Sequence, residues 1–126
     1  MAKILVVEDD ERTRQLLKKT LGTTPGTSVI EAENGAEGLD RAHESRPDVI
    51  LLDIMMPVMD GIDFLEVRLT SDDLSRIPVV IISALSDRAH VVAAVSRGAC
   101  SYVTKPFDPN KLRVKVDKVL RDYASR

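Results

Sequence analysis

The sequence predicts one α/β domain built on a five-stranded parallel sheet with helices on both faces. Three observations carry that expectation. Short β-branched apolar runs alternate with helix-length segments five times over, and strict βα alternation requires parallel strands joined by right-handed crossovers. The third and fourth runs, "DVILLD" (48–53) and "IPVVIIS" (77–83), are continuously apolar instead of alternating, as in strands covered on both faces. The 126 residues, 44% apolar and 30% charged, suffice to bury a core without disulfides or structural metals. No repeat, linker or low-complexity stretch divides them, so a single domain over 1–126 is expected.

The elements follow in order. "KILVVE" (3–8) reads as the first strand. "ERTRQLLKKTLG" reads as a helix with Leu16, Leu17 and Leu21 on one face and Gly22 as its stop. "SVIEA" (28–32) is the second strand. "AEGLDRAHES" begins a helix after Asn34-Gly35 and ends before Pro47, whose ring disfavours helix in the preceding residue. After the third strand, "GIDFLEVRLT" presents Ile62, Leu65 and Leu69, with Gly61 as a backbone requirement of the helix start. After the fourth, "DRAHVVAAVSRG" has Asp87 as a candidate N-cap and Gly98 as its stop. "SYVT" (101–104) is the fifth strand. The last helix, "PNKLRVKVDKVLRDYA", opens with Asp108 as cap and Pro109 in its first turn. It carries Leu112, Val116, Val119, Leu120 and Tyr123 at helical spacing. Five strands and five helices are thus expected.

Composition excludes several classes of function. Eighteen Lys and Arg against twenty Asp and Glu give −2, without the basic excess of a dedicated nucleic-acid binder. One cysteine, Cys100, excludes an intramolecular disulfide framework and fits a reducing compartment. "MAKILVVEDD" is too short and too acidic at its end for a signal peptide, and no stretch approaches the roughly 18 apolar residues of a membrane span. The reading is a cytoplasmic protein, or one domain of a longer one.

In an open parallel sheet, ligands sit beyond the carboxyl ends of the strands, where the strand order reverses. With the order 2-1-3-4-5, that crevice lies between the first and third strands. Glu8, Asp9 and Asp10 leave the first strand there, Asp53 ends the third, Ser83 ends the fourth and Lys105 follows the fifth. Clustered carboxylates repel one another unless a cation binds, and an all-oxygen set suits Mg²⁺. Lys105 can neutralise a phosphoryl oxygen or Asp53, and Ser83 can donate its hydroxyl. The set describes phosphoryl transfer to a carboxylate nucleophile. Taken singly, each residue has a plainer reading. Asp53 is a turn former before Pro57, the first-strand acids are a solvated helix start, Lys105 is a surface lysine and Ser83 a strand-end hydroxyl. Their joint placement on one sheet edge favours the chemical reading.

"LVVEDD", "DVILLDIMMPVMDG", "VVIISA" and "YVTKPF", in that order and spacing, resemble the receiver domain of bacterial two-component response regulators over essentially the whole chain. The resemblance implies a flavodoxin-like doubly wound sheet of order 2-1-3-4-5. It implies phosphorylation of Asp53 by a histidine kinase or phosphotransfer protein, with Mg²⁺ held by Glu8, Asp9, Asp53 and the backbone carbonyl of Met55. It casts Ser83 and Lys105 as the phosphoryl-sensing pair, Tyr102 as a ring that moves inward on activation, and Lys105–Pro106 as a cis bond. The changed surface would control an effector protein or a fused output domain. The domain is then a phosphoacceptor switch, with no direct nucleic-acid contact and no membrane.

Competing functions fare worse. Aspartyl phosphatases of the haloacid-dehalogenase type place a second Asp two residues after the nucleophile, where this chain has Met55, which cannot carry a proton. A nucleotide or flavin binder needs a Gly- or Ser-rich loop after the first strand, where "EDDERT" repels phosphate. A degenerate receiver would lack one of the key residues, and none is missing. Two departures shape the expectation further. Family members that dimerise beside the fifth strand carry acids before the tyrosine and a Glu early in the last helix. This chain has Cys100, Ser101 and Lys111 there, so a monomer is expected. Met55 and Leu85 flank the approach of a hydrolytic water and cannot orient it, so a long-lived phosphorylated state is expected. Cys100 reads as a small core residue, His43 and His90 as surface or half-buried, and Met55, Met56 and Met59 as either a sticky loop or packing beside the site.

Overall fold

Ile4 to Val7 and Ile50 to Leu52 are buried without interruption because helices cover both sides of the strands that hold them. In the computed structural model, residues 2–84 and 87–124 are described. The strands are β1 (Ala2–Val7), β2 (Thr27–Ala32), β3 (Val49–Asp53), β4 (Val79–Ala84) and β5 (Ser101–Lys105). They form one sheet of order β2-β1-β3-β4-β5, with every neighbouring pair parallel, as the sequence predicts.

Alternate residues divide between two apolar clusters. Leu5, Val7, Ile50, Leu52, Val79 and Ile81 pack on one face with Phe64 and Leu65. Ile4, Val6, Val49, Leu51, Val80 and Ile82 pack on the other with Leu17, Leu21, Leu112 and Val116. The side-chain period of 2 in a strand produces this split. Each fully buried Leu, Ile, Val or Phe contributes about 1.5–3 kcal/mol of transfer energy, so both layers are needed to hold the sheet.

The helices are α1 (Glu11–Leu21), α2 (Gly35–Ser45), α3 (Gly61–Leu69), α4 (Asp72–Ser75), α5 (Arg88–Ser96) and α6 (Pro109–Tyr123). Asp10, Asn34, Asp60 and Asp108 each accept a hydrogen bond from a backbone N–H of the following first turn, satisfying donors that helix geometry leaves unpaired. Asp87 precedes α5 as expected, but its side chain caps nothing and engages His90 Nδ1 instead.

Three expectations need correction. The described residues contain six helices, not five. The extra one, α4, is a single turn capped by Ser71 Oγ and anchored by buried Leu74, too short to show periodicity. Leu16 is 46% exposed, because α1 turns Arg14, Leu17 and Leu21 inward. Leu69 is 50% exposed, because α3 buries Phe64, Leu65 and Arg68. Gly98 ends α5 with a left-handed φ of 98°, a conformation that glycine adopts freely. His43 and His90 are exposed, and Cys100 is half-buried against the second cluster, where burial raises its thiol pKa.

Candidate functional site

Parallel register lines up the strand exits. Val7 pairs with Leu52, Asp53 with Ile82 and Ser83 with Thr104, so Glu8, Asp53, Ser83 and Lys105 emerge at the same edge of the sheet. Glu8 has no exposed surface and Asp53 is 4% exposed. One oxygen from each of Glu8, Asp9 and Asp53 lies within 4.8 Å of the others. Lys105 Nζ donates to Glu8 Oε1 at 2.9 Å and pairs with Asp53 Oδ2 at 3.3 Å. The Met55 N–H donates to Asp53 Oδ1 at 3.3 Å.

The electrostatics follow from that crowding. Burial first, and the neighbouring Asp53 second, raise the pKa of Glu8 above its ordinary value, with Lys105 opposing. Asp9 is raised by burial and by Glu8. Burial works against the Lys105 charge, but the bonds and attraction from Glu8 and Asp53 more than offset it and raise its pKa. Lys105 is thus the counter-charge that two buried carboxylates require. Ser83 Oγ is buried and has no hydrogen-bond partner. It follows Ile82, the register partner of Asp53, so an orphaned donor stands one residue from the level of the carboxylate.

Of the residues that the sequence singled out, Glu8, Asp9, Asp53, Ser83 and Lys105 come together at one edge of the sheet. Asp10 stands apart from the acid cluster. It caps α1, accepting from the N–H and hydroxyl of Thr13, which lower its pKa. Lys105–Pro106 is cis. Tyr102 is 46% exposed beside a cavity lined by Ser83, Ala84, Val91 and Thr104. Met56 and Met59 pack into the first cluster, whereas Met55 is 60% exposed. Leu85 lies outside the described residues. Gly61 is required by close approach: a Cβ there would lie 2.7 Å from Ile54 Cα and 2.9 Å from the Asp53 carbonyl oxygen. Val58, in the loop between them, holds a left-handed φ of 71° with its side chain almost fully in solvent.

Sequence reasoning missed Arg14. It is buried, and its Nη1 donates to the Glu8 carbonyl at 2.9 Å while its Nε bonds Glu31 Oε1 at 3.2 Å. Arg14 is one of two arginines in a charged helix start, and nothing in the pattern signals which of them turns inward.

The donor set fits a hard divalent cation. Three carboxylates converge, all ligand atoms are oxygens, and no His or thiolate is present in the cluster. Glu8, Asp9 and Asp53 could together hold such an ion.

Comparison with known proteins agrees with this architecture. The model of the response regulator receiver domain matches residues 4–117. The response regulator MprA of Mycobacterium avium is 38% identical over 120 residues, covering 94% of this chain and 51% of that protein. The chain spans about half the length of the curated relatives it matches. Among solved structures, the chemotaxis response regulator CheY4 of Vibrio cholerae superposes with a TM-score of 0.86 at 31% identity, covering 94% of this chain and 98% of that one. NtrX from Brucella abortus gives 0.87 at 28% identity, covering 98% of this chain but 28% of the longer protein. Among the described residues, no helix is long and apolar enough to cross a membrane. With the parallel order, the converged acids and Lys105 all in place, this chain belongs to the response regulator receiver domain family of two-component signalling.

Proposed function

We propose that the domain is a phosphorylation-driven switch whose phosphoacceptor is Asp53. The observation that carries this reading is the placement of Lys105 Nζ between Glu8 and Asp53, 2.9 and 3.3 Å from their oxygens, in a pocket of buried acids. That arrangement fixes a nucleophilic carboxylate and holds a cation ready for the charge that arrives with a phosphoryl group. An Asp53 oxygen attacks the phosphorus of a phosphohistidine on a histidine kinase or phosphotransfer protein, and the P–N bond breaks. Glu8, Asp9, Asp53 and the Met55 backbone carbonyl would hold Mg²⁺, which would supply neutralising charge for the phosphoryl oxygens. The product carries about −1.5 to −2 charge near neutral pH. Lys105 and the unpartnered Ser83 hydroxyl turn toward it, drawing in the ends of β5 and β4. Tyr102 moves inward, and the surface formed by α5, β5 and α6 changes as a shift in population. An effector protein or a fused output domain reads that surface. The domain promotes its own phosphorylation and slow dephosphorylation but turns over no separate substrate. It works in the cytoplasm.

Incubation with Mg²⁺ and acetyl phosphate should add one phosphate, detected by mass. Asp53→Asn should add none, and omission of Mg²⁺ should stop the reaction. Continued labelling of Asp53→Asn would sink the assignment. Because Lys111 replaces the acid that the family's dimer uses, light scattering should give a monomer before phosphorylation and no dimer of that type after it. A phosphorylated species of twice the monomer mass, lost on mutating Lys111 or Tyr102, would overturn this part.

A further inference from the structure

The ladder between β1 and β2 stops short of the acid cluster. The Glu8 N–H donates to the Ala32 carbonyl at 3.1 Å, and β2 ends at Ala32. The strand supplies no further amide for the Glu8 carbonyl, yet Glu8 has no exposed surface. A buried carbonyl left without a donor costs free energy comparable to a lost hydrogen bond. Arg14 fills the place of the missing strand, its Nη1 donating to that carbonyl at 2.9 Å in a buried contact.

The same guanidinium is held from its other side. Its Nε donates to Glu31 Oε1 at 3.2 Å. Glu31 is itself fixed, accepting from Gln15 Nε2 at 3.0 Å and pairing with Lys18 Nζ at 3.2 Å. Arg14 is 7% exposed, whereas Arg12, on the same turn, is exposed. A planar fork bonded in two directions has little freedom left. What it fixes is the peptide joining Glu8 to Asp9. The Glu8 carbonyl and the Asp9 amide share one plane, so its orientation sets how both side chains leave the main chain. The Asp10 N–H adds a bond to Glu8 Oε2 at 3.3 Å, so Glu8 is held by its carbonyl and by its carboxylate.

We propose that Arg14 is a positioning residue for the cation site. Acting through the Glu8 carbonyl and braced by Glu31, it sets the Glu8–Asp9 peptide so that both carboxylates converge with Asp53. The inference deepens the reading of these acids as Mg²⁺ ligands and rests on it. Charge alone predicts the opposite effect. A guanidinium bonded to Glu8 repels a cation, so its removal would tighten cation binding. Positioning predicts weaker binding, and the sign of one measurement separates the two.

The test is calorimetric titration of the full chain with MgCl₂, below the melting temperature of every variant. Arg14→Met should weaken Mg²⁺ binding about tenfold or more, as loss of a group that orients a metal ligand does. Arg14→Lys keeps the charge but loses the fork, and its affinity should fall between the two. Arg12→Met removes the same charge from an exposed position and should bind Mg²⁺ as tightly as wild type or more tightly. Without metal, the carbonyl carbon resonance of Glu8 should move in Arg14→Met and Arg14→Lys and stay in place in Arg12→Met. Mg²⁺ binding by Arg14→Met that equals or exceeds wild type overturns the inference, as does an unmoved Glu8 resonance or an equal weakening in Arg12→Met. If Arg14→Met does not fold, wild-type affinity in Arg14→Lys overturns it instead. A wild type that takes up no Mg²⁺ removes the reading of the acid cluster, and the inference falls with it. A wild type that binds beside variants that bind equally removes the inference alone.

Discussion

The two ends of this sheet bury charge in opposite ways. At the carboxyl end, Glu8 and Asp53 share Lys105, and the crowding raises the pKa values of Glu8 and of Lys105. At the amino end, Arg68 is 3% exposed, and among the described residues no carboxylate pairs with it. Its Nη2 donates to the carbonyls of Ser75 and Ile77 at 3.1 and 2.9 Å, while Nε and Nη1 have no partner. Burial depresses its pKa. One end holds charges that can be re-paired by a ligand. The other fixes a charge to main-chain oxygens, joining α3, α4 and the start of β4. A buried charge therefore marks a site only when its partners can be exchanged.

The largest expected effect breaks this comparison if it fails. Arg68→Ala strips the donor from two buried carbonyls and should cost about 2–4 kcal/mol of stability. Acetyl phosphate labelling of the folded fraction should be unchanged. Urea unfolding and labelling measured on the same sample check it, and a loss of labelling at preserved stability would mean that the two ends communicate. Next, Met55→Asn with Leu85→Glu should shorten the phosphorylated state by one to two orders of magnitude, about 1.4–2.7 kcal/mol of barrier, with little change in melting. A decay time course with Mg²⁺ and no kinase gives the answer. If wild type decays in seconds, or the variant no faster, these side chains do not set the lifetime.

Two smaller effects sharpen the contrast. Gly61→Ala forces a Cβ against Ile54 and the Asp53 carbonyl, and Gly98→Ala forces a side chain into a left-handed backbone. Each should lose about 1–2 kcal/mol. Only Gly61→Ala should also slow labelling, because only it moves the Asp53 loop. The smallest effect is a pH trend. Glu8 and Asp9 have raised pKa values in the folded chain, so the native state holds protons that the unfolded state releases. Their contribution to stability is complete below the ordinary carboxylate range and is lost as pH rises through the folded values. The melting shift from millimolar Mg²⁺ should therefore be larger at pH 8 than at pH 5, by a few degrees. An equal or reversed shift removes the acid cluster as the metal site.

The carboxyl end was legible in the sequence because strand exits are set by periodicity, and periodicity is local. Glu8, Asp53, Ser83 and Lys105 could be assigned to one edge before any contact was known. The amino end was not legible. Arg68 sits in the last turn of α3, where a cation is ordinarily exposed and favourable to the helix dipole. Its burial depends on α4, a turn of four residues that leaves no pattern. Arg14 was missed for the same reason, since its inward turn is decided by Glu31 on another strand. Leu16 and Leu69 show the converse: hydrophobicity names candidates for a helix face, but packing chooses among them.

Val58 has a consequence for how this sequence can change. A β-branched residue held at a left-handed φ carries about 1–3 kcal/mol of strain, and its nearly solvent-borne side chain recovers little of that by packing. Exchange for glycine or asparagine would relieve much of this in one step. The loop beside Asp53 thus stores a mutational reserve. A lineage weakened by substitution elsewhere could restore its folding margin at position 58 without touching the core, and selection for heat tolerance should find that codon early.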